Sequence, residues 1–70
     1  MRIEYTLHAK QQMQERKVEA VWVEETIKTP DETKKEGHKF YVAKRLNGHT
    51  LKVVYVKETF IKVVTAFFLK

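Results

Sequence analysis

The sequence predicts an α+β domain in which two N-terminal helices pack on one face of an antiparallel β-meander of three to four strands. Three observations carry that reading. Residues 7–28 contain no Gly or Pro and begin with a run of strong helix formers. From Lys39 onward the chain turns to β-branched and aromatic residues. Between two such runs stands Asn47-Gly48, a pair that tolerates the positive φ of a type I′ hairpin turn.

In chain order, Arg2 to Thr6 alternates Ile3 and Tyr5 with polar residues, as a short strand or extended arm does. Thr6 suits the N-cap of a first helix, Leu7 to Lys17, with Leu7, Ala9 and Met13 as a thin apolar stripe. A second helix is expected over Glu19 to Lys28. Glu19 suits its positive end and Lys28 its negative end, while Pro30 prevents continuation. Asp31 to Gly37 is polar and reads as a solvated loop. Strands are expected at Lys39–Leu46, His49–Lys57 and Phe60–Leu69, the last joined through Glu58-Thr59.

The chain's 70 residues are enough for one domain, residues 1–70, with a small core. With no cysteine there is neither a disulfide scaffold nor a thiolate metal site. His8, His38 and His49 lack the paired spacing of a zinc motif, so neither a metal nor another cofactor is expected. Arg2 and Glu4 interrupt any signal-peptide apolar region, and no apolar run approaches the roughly 20 residues of a membrane span. A cytoplasmic location and no membrane partner are therefore expected.

Fourteen Lys/Arg against nine Asp/Glu give a net charge of +5, and that excess is unevenly placed. Residues 1–37 hold seven Lys/Arg and eight Asp/Glu, whereas residues 38–70 hold seven Lys/Arg and Glu58 alone. The basic half coincides with the expected strands, which suggests a sheet surface made for a polyanion.

The two-residue Asn47-Gly48 turn fixes which side chains share a face. It pairs Leu46 with His49, Arg45 with Thr50, Ala43 with Lys52, Tyr41 with Val54 and Lys39 with Val56. One face then carries Phe40, Val42, Lys44, Leu46, His49, Leu51, Val53 and Tyr55, and suits the helices. The other gathers Lys39, Tyr41, Arg45, Thr50 and Lys52, a mixture able to grip phosphates and stack bases. Lys39, Tyr41 and Arg45 are the candidate RNA-binding residues. The last strand has two possible registers. A two-residue connection sets Thr65 opposite Lys52 on the cationic face, and a three-residue one brings Lys62 there and turns Thr65 inward.

On the first helix His8, Gln12 and Arg16 recur at i, i+4 and i+8 and form one polar stripe. It combines an imidazole that moves protons near neutral pH with a guanidinium that grips phosphate, although an ordinary helix surface has the same spacing.

The run from Tyr5 to Asp31, with His8, Glu15-Arg16, Val18, Val23, Ile27 and Pro30-Asp31, resembles the start of the family called domain of unknown function 4258. Val63-Val64-Thr65-Ala66-Phe67 resembles that family's closing strand. The family is similar to RelE-type toxins, which set a helix pair against a twisted antiparallel sheet and include ribosome-dependent or free endoribonucleases. The resemblance implies metal-independent RNA cleavage by attack of a 2′-hydroxyl on the adjacent phosphate. It implies His8 as acid or base, Arg16 as phosphate clamp and Thr65 as phosphate-orienting hydroxyl. The hairpin register adds Lys52 as a cation for the transition state. RNA or the ribosome, and an antitoxin protein, are the implied partners. The alternative is a non-catalytic interaction module that uses Trp22, expected to bury against the first helix, and the exposed sheet face.

Overall fold

A computed structural model describes residues 2–69 and contains, in order, β1 (Ile3–Tyr5), α1 (Leu7–Arg16), α2 (Ala20–Lys28), β2 (Glu32–Glu36), β3 (Lys39–Leu46), β4 (His49–Lys57) and β5 (Ile61–Leu69). The α+β class and both helices are as expected. The sheet is larger than expected and mixed. Its five strands run in the order β1-β5-β4-β3-β2, with β1 parallel to β5 and every other pair antiparallel.

Local chemistry sets the helix ends. Thr6 is the N-cap of α1, its hydroxyl accepting from Ala9 N at 3.0 Å. Lys17 ends the helix in the left-handed region at φ 55, and Val18 N returns to Met13 O at 2.8 Å, the bonding pattern of a Schellman motif. That turn drives Val18 into the core. In α2 the buried Thr26 donates its hydroxyl hydrogen to Trp22 O at 2.8 Å. Lys44 projects from the helix-facing side of β3 to Thr29 O at 2.9 Å, a cation placed at the negative end of α2.

The hairpin has the expected register throughout, from Leu46 opposite His49 to Lys39 opposite Val56. Asn47 and Gly48 adopt φ 51 and 81, as a type I′ turn requires. The core lies between the helices and one sheet face. Ala9, Met13, Val23, Val42, Leu51, Val53 and Val63 are among its buried residues, with Phe40 stacked on Tyr55 at its margin. Leu7 is 72% exposed and takes no part in the stripe assigned to it, which reduces to Ala9 and Met13.

Two further expectations need correction. The supposed loop contains β2, a fully exposed edge strand paired with β3 from Glu32 opposite Ala43 to Glu36 opposite Lys39. Gly37, at φ 62, and His38 form the two-residue connection. The second correction concerns β5, which follows neither proposed register throughout. Lys57 faces Ile61 across a three-residue connection and Lys62 faces Val56, but a bulge between Val54 and Tyr55 absorbs one residue. Beyond it Thr65 returns to the cationic face, opposite Val54, and Lys52 faces Phe67.

Candidate nucleic-acid interface

Register alone arranges the sheet face opposite the core into rows of side chains. Lys34, Tyr41, Val54 and Thr65 form one, and Glu32, Ala43, Lys52 and Phe67 form the next. Arg45, Thr50 and Leu69 lie beyond on one side. Glu36, Lys39, Val56, Lys62 and Glu4 lie on the other. Val54 is buried yet outside the core cluster, consistent with its place among these neighbours.

Every residue proposed for RNA binding is on this face. Lys39 and Arg45 are exposed, Tyr41 and Lys52 are half-buried, and Thr65 stands diagonally across from Lys52. Diagonal neighbours of this kind are about 7–8 Å apart at their Cα atoms, within reach of one bridging phosphate when one member is a lysine. The cations are less uniform than the sequence implied, because β2 carries Glu32 and Glu36 onto the same face. Lys34 approaches Glu36 at 3.9 Å and Arg2 approaches Glu4 at 2.9 Å, both as exposed pairs of little energetic weight. A trough of about 420 Å³ opens here, lined among others by Glu32, Lys34, Tyr41, Ala43, Thr50 and Lys52.

His8 and Arg16 lie exposed on α1, outside this face. The link is Gln12, midway along their stripe, whose side-chain oxygen accepts a hydrogen bond from the Thr65 hydroxyl. That contact exists because β1 pairs only with Ile61–Val63. Thr65 therefore sits on the stretch of β5 with no strand at its outer side, and α1 packs against it instead. Thr6 pins the junction, its N–H donating to Val63 O at 3.0 Å and its hydroxyl to Val64 O at 3.3 Å. The seven residues singled out from the sequence thus form two groups, Lys39, Tyr41, Arg45, Lys52 and Thr65 on the sheet and His8 and Arg16 on the helix, joined by Gln12 and Thr65. Sequence reasoning gave Gln12 no role, and it missed Glu32 and Lys34 because their strand was taken for a loop.

Trp22 packs differently from expectation. Its ring meets Phe68 of β5 edge-on at 5.9 Å, and the indole is half-buried there. Among the described residues no three His, Asp or Glu side chains gather where they could hold a metal ion, and no helix is long and apolar enough to cross a membrane.

A protein-family model, Domain of unknown function (DUF4258), matches residues 5–68. The chain belongs to that family. The match runs from Tyr5 in β1 to Phe68 in β5, so the domain of unknown function 4258 includes both helices, the bulged strand and the whole of the far face apart from its margins. Neither the curated proteins nor the solved structures contain a match to the chain.

Proposed function

We propose that this chain is a RelE-like RNA-binding protein and that its chemistry is metal-independent endoribonuclease cleavage, as in the toxin of a toxin–antitoxin pair. The observation that supports the reading is the Gln12–Thr65 hydrogen bond, which ties the middle of the helix stripe to a residue of the cationic sheet face. Two helices ahead of a largely antiparallel sheet are consistent with RelE-like architecture, and the net charge of +5 suits an RNA ligand.

On this reading Lys39, Arg45 and Lys52 hold phosphates and Tyr41 offers a ring for base stacking. In cleavage, the RNA's 2′-oxygen forms a bond to the adjacent phosphorus while the bond to the 5′-oxygen breaks. His8 accepts the 2′-hydroxyl proton while solvent protonates the departing 5′-oxygen, or protonates that oxygen while solvent takes up the 2′-hydroxyl proton. Arg16 and Lys52 offset the charge that develops on the phosphorane, and Thr65 orients one of its oxygens. The products are a 2′,3′-cyclic phosphate and a free 5′-hydroxyl. An antitoxin would silence the protein by covering the far face or by adding a strand along β2. The alternative, a non-catalytic interaction module built on Trp22 and the exposed sheet face, would use the open part of that half-buried indole beside the exposed Val21.

The direct test is incubation of the protein with single-stranded RNA in the presence of a chelator, followed by end-group analysis. Cyclic phosphate ends support the reading, and intact RNA at high protein concentration refutes the ribosome-independent form of it.

A further inference from the structure

The geometry points to a base-reading subsite in the trough between β2 and β4, where Glu32 selects a nucleobase with hydrogen-bond donors on its pairing edge, guanine above all. This inference rests on the RNA-binding reading above and adds to it a preference among RNA sequences.

In the row Glu32, Ala43, Lys52, the central residue is a methyl group between two long side chains. Successive strands lie 4.7–4.9 Å apart, so the backbones of Glu32 and Lys52 are roughly 10 Å apart, with only Ala43 as the floor. Tyr41 adjoins Ala43 on the same face of β3. The trough's volume, about 420 Å³, falls at the small end of ligand clefts and suits a single unstacked base rather than a duplex.

Glu32 is exposed at the wall of this trough and makes no ion pair among the described residues, whereas Glu36 is drawn to Lys34. A free carboxylate repels phosphate, so it works against backbone binding on an otherwise cationic face. Against a base edge the same group is useful, because its two oxygens accept hydrogen bonds and donate none. Guanine presents N1–H and N2–H₂ side by side and can satisfy both oxygens. Cytosine and adenine each offer one amino group at that edge. Uracil sets two carbonyls around a single N–H and is repelled. Lys52, across Ala43 in the same row, and Arg45, in the next row, are placed to take phosphates of the strand that presents the base.

Fluorescence anisotropy with two seven-nucleotide RNAs, all uridine or with one central guanosine, tests this at fixed low salt. Wild-type protein is expected to bind the guanosine strand about tenfold more tightly, the discrimination of one good bidentate pair. Glu32→Ala is expected to bind both strands within about twofold of each other. Glu36→Ala removes the same charge from the other end of the same trough, two rows from Glu32 and opposite Lys39 rather than Ala43, and is expected to keep the tenfold preference. Equal wild-type affinities that still weaken with salt overturn the subsite while RNA binding stands. A preference that persists in Glu32→Ala, or disappears in both variants, overturns Glu32 as the reader. Absence of any salt-sensitive binding overturns the RNA-binding reading, and the subsite falls with it.

Discussion

Gln12 and Thr65 lie 53 residues apart in the chain and share a side-chain hydrogen bond between α1 and β5. The bond does more than close a gap. It joins Gln12, midway between His8 and Arg16, to a strand residue on the sheet face carrying Lys52 and Tyr41, and beyond the bulge in β5 Thr65 lies on that face.

Thr65→Val keeps the shape of the side chain and removes its donor. The partly buried Gln12 oxygen then lacks its partner, so the variant should lose about 1 kcal/mol in urea unfolding. Thr65→Ser should recover most of that loss. Equal stability of wild type and Thr65→Val would show that the contact contributes nothing to folding.

Thr6 has two partners for one hydroxyl, accepting from Ala9 N and donating to Val64 O. Thr6→Ala should therefore cost about 1–2 kcal/mol, a helix cap plus a tie to the bulge. In a domain this small each kcal/mol lowers the melting temperature by roughly 4–8 °C. A calorimetric shift of less than 1 °C would mean that α1 is seated by packing alone.

The Tyr5 hydroxyl is enclosed without a hydrogen-bond partner. Burial first, and then the nearby Glu24 carboxylate, raises its pKa above the usual 10.0. Burial also raises the Tyr55 pKa. A raised folded-state value means that the unfolded chain loses these protons first, so stability is intact below pH 10 and falls as pH rises above it. Tyr5→Phe should match or exceed wild-type stability at pH 7 and lose less between pH 9 and 11. A steeper alkaline loss in the variant would contradict this assignment.

His8→Ala should retain RNA affinity within about twofold and lose turnover by at least the roughly 100-fold typical of a removed acid–base group. Because His8 is exposed, folding should be unaffected. Unchanged cleavage would remove the imidazole from the mechanism.

The hairpin was legible to the residue, because Asn47-Gly48 dictates both turn type and loop length and the alternation beyond it is strong. The helices were legible from composition and caps. What escaped was β2, and the reason is physical. Glu32–Glu36 is exposed at every position, so no buried face imposes a period of two on its sequence. The remaining signal was Gly37-His38, a glycine-first pair of the kind found in two-residue hairpin turns. The β5 bulge left no comparable mark, since either strand register gave Ile61–Leu69 a plausible alternation. The parallel pairing of β1 is a long-range choice that three residues cannot encode. These gaps explain the site as well. The cationic face was recognisable from the hairpin, but its carboxylates and its junction with α1 depended on the two edge strands.

The central claim, that the far face of the sheet binds RNA phosphates, is tested most directly by the affinity for a short single-stranded RNA measured across salt concentration. Contacts from Lys39, Arg45 and Lys52 predict a line in log K against log salt with a slope of about −2, at about −0.7 per neutralised phosphate. Lys52→Ala and Arg45→Ala should each flatten it by about 0.7. A slope near zero, or one that neither substitution changes, would contradict the assignment of this face to RNA.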